Sequence, residues 1–235
     1  MKVALAAGAG TAAGALAVYL GVRSLESGPL EFRDTVYYPP ITDDPPPWWS
    51  ARVGEPMRVT DFAIWQGAPG LWRQVFDRGR PVEGTGFRVL AIRVPRDDTA
   101  FSAPTDVSLP QGVSLYYDDP TRDIRIVVLY NRCTHLCCSA SWHTSPVPDR
   151  LHDYVGSTPT YQVFGEDPIW CQCHDAQYDP MVLTKGRHPR SGLEYVGAAN
   201  VRGPADRPLP VVPVRVESDI LKGTMAYSSW YAYCG

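Results

Sequence analysis

The chain has 235 residues, room for one large or two small domains, and a formal net charge of −3 with 20% charged residues. Without a basic excess, nucleic acid is set aside as a partner. Its 23 prolines, about twice the usual share, favour extended strands and rigid loops over helices, so the globular part is expected to be mainly β.

Residues 3–22 are uncharged between Lys2 and Arg23, and a helix of that length rises about 30 Å, the hydrocarbon thickness of a bilayer. A single N-terminal transmembrane helix is therefore expected over 1–23, with Gly10 and Gly14 giving it a smooth face for a partner helix. The competing reading is a cleaved signal peptide, with Ala15-Leu16-Ala17 as its small-x-small site. The apolar run is longer than a signal sequence's.

Residues 24–52 read as hinge and linker. Ser27-Gly28-Pro29 is a flexible point, then Pro39-Pro40 and Pro45-Pro46-Pro47 impose extended geometry. Trp48 and Trp49 fit either an interface or a packed domain edge. The head, 53–235, shows short apolar runs between turn signals, the pattern of an antiparallel β sandwich. Strands are expected at 57–65, 86–94, 113–117 and 123–130, then at 194–201, 209–216 and 221–228. In the fourth, Ile124, Ile126, Val128 and Tyr130 alternate with Arg125, Val127 and Leu129, giving one apolar face and one partly apolar. The long stretch 97–111 reads as a loop inserted at a partner surface.

Chemistry concentrates in two short stretches. Cys133-Thr134-His135-Leu136-Cys137-Cys138 and Cys171-Gln172-Cys173-His174 hold five of the six cysteines and two of the five histidines. Each offers one thiolate and one imidazole, Cys133 with His135 and Cys171 with His174, plus a further cysteine, Cys138 or Cys173. That is the inventory of a [2Fe-2S] cluster with one iron on two cysteines and the other on two histidines. It also describes a structural zinc site, whose usual C-x2-4-C and H-x3-5-H spacings span a tetrahedral edge. The C-x-H spacing here is tighter, and zinc leaves Cys138 and Cys173 without a purpose. His143, His152 and His188 lack ligand spacing to another histidine or cysteine and are expected at the surface.

The pattern C-x-H-x-x-C followed by C-x-C-H resembles the Rieske iron-sulfur subunit of the quinol-oxidising cytochrome bc complexes. Gly203-Pro204-Ala205-Asp206-Arg207-Pro208-Leu209-Pro210 resembles the proline-rich loop that covers the cluster in that family. The likeness spans about 124–217. It implies a Rieske-type antiparallel β sandwich with a small cluster-binding subdomain, about 131–183. It further implies Cys133, His135, Cys171 and His174 as ligands of a [2Fe-2S] cluster, Tyr178 and Leu136 beside it, and a Cys138–Cys173 disulfide joining the loops. That extra cysteine pair separates this branch from Rieske ferredoxins and ring-hydroxylating oxygenases.

The function implied is electron transfer in a respiratory membrane complex, not catalysis by the chain alone. Through His174 or His135 the subunit takes an electron and a proton from quinol. The electron passes to a cytochrome c-type or similar acceptor, and a cytochrome b-type subunit takes the second. The alternative is a Rieske relay in a molybdenum oxidase such as arsenite oxidase, with no quinol site. Because a disulfide persists only where thiols are not continually reduced, the head is expected on the outer, periplasmic or extracellular, side of the cytoplasmic membrane.

The chain departs from the family at three places. Residues 139–170, between the motifs, are about twice the expected length. After His174 come Asp175 and Ala176 in place of the usual Gly-Ser. The family's serine and tyrosine hydroxyls donate to cluster or cysteine sulfur, Ala176 cannot, and Asp175 adds negative charge, so the potential is expected below that of a Ser/Tyr member. Cys137 stands where the family places glycine, and with Cys234 it leaves an even pair that reads either as a second bridge or as two buried free thiols.

Overall fold

A computed structural model describes residues 30–41, 46–142, 160 and 169–224. The fold is mainly β, with antiparallel sheets, in two compact units. Among the described residues the smaller unit holds 30–33 and Gln74–Thr85, and the larger holds the rest. The smaller is a three-stranded sheet of β1 (Glu31–Phe32), β4 (Val75–Asp77) and β5 (Arg80–Pro81), in that order. Arg78 (φ 50°) and Gly79 (φ 76°) make its two-residue turn, the left-handed pair that matches strand twist.

In the larger unit one five-stranded sheet runs in the order β2 (Val36–Tyr37), β3 (Gly67–Trp72), β6 (Phe87–Val94), β8 (Ile124–Tyr130), β7 (Tyr117–Asp119). A second runs β13 (Leu209–Pro210), β12 (Glu194–Arg202), β11 (Ala176–Arg187), β10 (Ile169–Cys171), β9 (Ser141–Trp142). A separate hairpin pairs β14 (Val214–Glu217) with β15 (Ile220–Gly223).

Strand β8 organises this unit. Its sequence suggests one apolar face and part of another, yet every residue of it is buried. Val127 and Leu129 meet Leu90 and Ile92 of β6 and Met181 and Leu183 of β11 in a core between the two sheets. Ile126, Val128 and Tyr130 meet Val36, Trp72 and Leu221 in a second core on the opposite face. Because successive side chains of a strand point to opposite faces, a strand apolar at nearly every position can serve both. The exception is Arg125, buried against Asp118 (2.9 Å) and Asp98 (2.7 Å) with its guanidinium 4.3 Å from the Phe101 ring centre. Two carboxylates and a ring offset the cost of desolvating it.

Several expected strands take other forms. Within 57–65 the chain makes a 3-10 turn, Val59–Asp61, because the Asp61 carboxylate accepts the Arg58 N–H (2.9 Å) and the Tyr38 hydroxyl (3.1 Å). Such local side-chain bonds compete with a ladder. The strand that follows, β3, begins Gly67-Ala68-Pro69-Gly70 and lies outside the expected strands. Its glycines answer to space: a Cβ on Gly70 would lie 2.7 Å from Val36 Cγ1, and one on Gly67 2.8 Å from Trp142 Cγ. The stretch 113–117 shrinks to a bridge from Ser114 to Val214 and the first residue of β7. The stretch 209–216 breaks into β13 and β14 around Pro213, which has no N–H to offer a ladder.

The proline-rich segment also differs. Val36, Tyr38 and Trp49 are buried in the second core, Trp49 stacks on Tyr38 at 5.9 Å, and Trp48 donates to the Gly67 carbonyl. The larger unit therefore begins at Asp34, inside the stretch expected as linker up to 52. The loop 97–111 is strandless as expected, but Phe101, Val107 and Leu109 pack on the first core. Ser102 exchanges backbone bonds with Met181 and Leu183 where β11 bulges around Pro180. Its apolar side is used inside the protein. The expected helix at 3–22 lies outside the described residues, among which no helix is long and apolar enough to cross a membrane.

Candidate metal centre

The first loop leaves β8 and closes on itself. Cys133 N–H donates to the Cys138 carbonyl (2.8 Å) and Cys137 N–H to the Cys133 carbonyl (2.9 Å). Side chains hold it from below. The Tyr178 hydroxyl, on β11, lies 3.2 Å from Cys133 Sγ, 3.0 Å from Thr134 Oγ1, and accepts the Thr134 N–H at 3.2 Å. Thr134 Oγ1 donates its one proton to the Arg207 carbonyl (2.7 Å), and Arg207 returns a bond to the Thr134 carbonyl (2.9 Å). With Thr134's proton so committed, Tyr178's proton is shared between Thr134 Oγ1 and the sulfur of Cys133.

The second loop is the turn of a β-hairpin. Cys171 ends β10, Ala176 begins β11 opposite it, and residues 172–175 turn between them. Asp175 N–H donates to the Cys171 carbonyl (3.0 Å), and the Asp175 carboxylate accepts the Trp170 indole N–H (2.9 Å). Asp175 sits in the left-handed region (φ 61°). Gly203, at φ 85°, passes so close that a Cβ on it would lie 2.6 Å from the Asp175 carbonyl oxygen. Ala205, two residues on, is buried in the first core. The segment 203–207 thus touches both loops, Gly203 against the second and Arg207 against the first.

Cys138 and Cys173 join the loops by a disulfide with Cα atoms 6.6 Å apart. Around it the structure brings together the four residues expected as ligands. Cys133 and Cys171 are free thiols, each 1% exposed. The His135 and His174 rings stand edge to face with centroids 4.7 Å apart. His135 Nδ1 is buried with no hydrogen-bond partner, a state that costs about 1–3 kcal/mol unless something accepts that nitrogen. His174 and Leu136 are exposed. The Sγ atoms of Cys138, Cys171 and Cys173 also lie within 4.8 Å of one another, but two of these three are committed to the disulfide.

Two buried thiols and a buried, unpartnered imidazole nitrogen fit a group that takes sulfur and nitrogen donors. Burial pushes the Cys171 thiol up to about 11, with the neighbouring Cys133 thiol adding to the rise. Burial, then the charge of Cys133, holds the Tyr178 hydroxyl above its ordinary value, so it remains a proton donor. Bound metal reverses this balance at the sulfurs, since a coordinating thiol is deprotonated.

Some residues of the site carry no signal in the sequence. Thr134 and Arg207 lie in stretches the sequence marks, but nothing in either marks the bonds between them. Asp179 follows Tyr178 and is buried, its carboxyl raised by that burial, and it accepts the N–H (2.7 Å) and hydroxyl (2.6 Å) of Thr160. Ala176 is fully buried, as a residue closing a hairpin against the core must be. His188, expected at the surface, is buried: its Nδ1 accepts the Ser191 N–H at 3.0 Å and so organises a turn. His143 and His152 lie outside the described residues. Cys137 (φ 62°) is itself disulfide-bonded, while Cys234, its partner in the bridged reading, lies outside them. No protein-family model matches the chain, and no curated protein matches it.

Proposed function

We propose that the chain is a Rieske-type [2Fe-2S] electron-transfer subunit of a quinol-oxidising membrane complex. In this reading the larger unit is the Rieske sandwich, 131–183 its cluster-binding part, and 1–23 its transmembrane anchor. The observation that carries the proposal is the meeting of two free buried thiols with two imidazoles, one of them with an unpartnered buried nitrogen, across a disulfide-joined pair of loops. Cys133 and Cys171 would hold one iron, His135 and His174 the other. Bound there, the cluster supplies one-electron redox chemistry at a potential raised by its neutral histidine ligands.

The chain's own residues supply the rest. Burial of Cys133 and Cys171 keeps water from the sulfurs, and the Tyr178 hydroxyl, 3.2 Å from Cys133 Sγ, is placed to donate to a metal-bound thiolate there. His174, exposed on the turn, offers an imidazole edge able to take a proton from a quinol hydroxyl, and exposed Leu136 gives that ring an apolar surface to rest on. A cytochrome b-type subunit and a cytochrome c-type acceptor are the partners this reading calls for, with the head on the outer side of the membrane.

Metal analysis and low-temperature EPR of the full chain purified from membranes test it. Two irons per chain and the EPR signal of a histidine-ligated cluster are expected on reduction. A colourless, EPR-silent protein containing zinc overturns the proposal. Within a positive result, a change in the spectrum on adding a quinol-site inhibitor to the native complex supports quinol oxidation. No change, with molybdenum in the co-purified partner, assigns the relay instead.

A further inference from the structure

We propose that Arg207 is a charge-setting residue of the site, a fixed cation that raises its redox potential from beside the peptide joining two of the ligands. The inference rests on the cluster assignment above and adds a residue to it. Arg207 Nη2 donates to the carbonyl of Thr134 (2.9 Å), the residue between Cys133 and His135, and the Arg207 carbonyl accepts from Thr134 Oγ1 (2.7 Å). The side chain is 22% exposed, and its Nε is buried with no hydrogen-bond partner. Among the described residues its one ion pair is with its neighbour Asp206 (3.2 Å), whose carboxylate is 71% exposed.

Two other arginines show what is different here. Arg125 is held between the carboxylates of Asp118 (2.9 Å) and Asp98 (2.7 Å). Arg202, at the other end of the segment that carries Arg207, faces the Asp175 carboxylate of the second loop at 3.9 Å. Arg207 makes its shorter bond, 2.9 Å against 3.2 Å, to a carbonyl, and its counter-ion stands in solvent, where attraction between charges is weak. Most of its charge is therefore left facing the loop that carries Cys133 and His135.

A guanidinium keeps its proton at any working pH. On reduction the site gains one electron and one negative charge, with no bond made or broken at Arg207, so a fixed positive charge favours the reduced state and raises the potential. One elementary charge beside a partly buried redox centre is worth about tenfold in the ratio of reduced to oxidised form, about 59 mV for one electron. That shift runs against the lowering expected from Asp175 and from the missing hydroxyl at Ala176.

Redox titration of the loaded full chain, followed by EPR, tests this with three variants. The bond from Thr134 Oγ1 goes to the Arg207 main chain and does not depend on the side chain, so loop and segment stay joined. Arg207→Gln keeps a donor but removes the charge, and should lower the midpoint potential by about 59 mV. Arg207→Lys keeps the charge and should recover most of that loss. Asp206→Asn removes the exposed counter-ion and should shift the potential upward, by less, because water and salt screen that carboxylate. EPR g-values should match the unaltered chain in all three, since no ligand changes. Should Arg207→Gln fail to load, the sign of the Asp206→Asn shift decides. An unmoved potential in Arg207→Gln, equal potentials for the Gln and Lys variants, as a merely structural role predicts, or a downward shift in Asp206→Asn overturns the inference. A wild-type chain without a cluster signal overturns the cluster assignment and this inference with it, whereas a loaded chain with unmoved potentials overturns this inference alone.

Discussion

Loop 133–138 is held from outside by side chains, through Thr134, Tyr178 and Arg207, whereas loop 171–175 is held by the strands it joins, with β10 and β11 paired on either side of it. The two offer the same donors, one thiol and one imidazole each, yet depend on different physics. The first loop's shape rests on a few polar groups whose loss leaves others unsatisfied in a buried place. The second rests chiefly on the backbone bonds of the hairpin, which a substitution that keeps the main-chain N–H leaves in place.

The largest expected effect comes from the donors themselves. On the proposed cluster assignment, Cys171→Ala or His174→Ala should abolish bound iron, read by EPR and iron content, while circular dichroism of the hairpin stays native. Cys133→Ala should lose iron equally and also lower the melting temperature more than Cys171→Ala does, because it strips the buried Tyr178 hydroxyl of one of its partners. Equal melting of the two variants would erase the contrast between the loops.

Gly203→Ala probes the second loop through the segment that crosses it. Left-handed backbone costs a non-glycine residue about 1–3 kcal/mol, and here the added Cβ would also meet the Asp175 carbonyl oxygen at 2.6 Å. Thermal denaturation should show a loss of at least that size, and a cluster bound as proposed should be released faster on dilution into chelator. Thr134→Val is the matching probe of the first loop. It keeps the shape, removes the bond to the Arg207 carbonyl, and should cost about 1–3 kcal/mol in chemical denaturation.

What the sequence disclosed of this site is the part written in local chemistry. Cysteines and histidines one to three residues apart announce themselves, and β8 shows its alternation, so the first motif and the strand feeding it were readable together. The rest depends on distance along the chain. Thr134 and Arg207 are 73 residues apart and Thr160 and Asp179 are 19, and nothing near either member marks the bond. β3 hides behind glycine and proline because its glycines answer to Val36 and Trp142, and β11 hides because Asp179-Pro180 reads as a turn where the strand merely bulges. His188 misled for the same reason: ligand spacing says nothing about burial.

The smallest expected effect is that of Ala176→Ser, which asks whether the second loop follows Rieske geometry at this residue. A hydrogen bond to a charged acceptor is worth about 1.5–3 kcal/mol, and about 59 mV corresponds to a tenfold change for one electron, roughly 1.4 kcal/mol. Only the difference between redox states counts, so an upward shift of several tens of millivolts is expected by protein-film voltammetry. No shift, or a downward one, would mean that a hydroxyl here does not reach sulfur. Ala176 is fully buried in the first core, so a measured shift would come from a fixed hydroxyl and not from one turning in solvent.

Strand β8 gives the first loop its standing in the molecule. Only Asn131 and Arg132 separate its last residue, Tyr130, from Cys133, and the Asn131 N–H is itself bonded to the Arg88 carbonyl. To free Cys133 by local opening, the chain would have to unzip β8 from β6 on one side and β7 on the other and wet two cores at once. An event of that extent is scarcely distinguishable from unfolding the unit, so its amide hydrogens exchange on the slowest timescale the protein has. The Cys133 thiol is thus carried at the end of a strand paired on both sides, and its position is as durable as the fold itself.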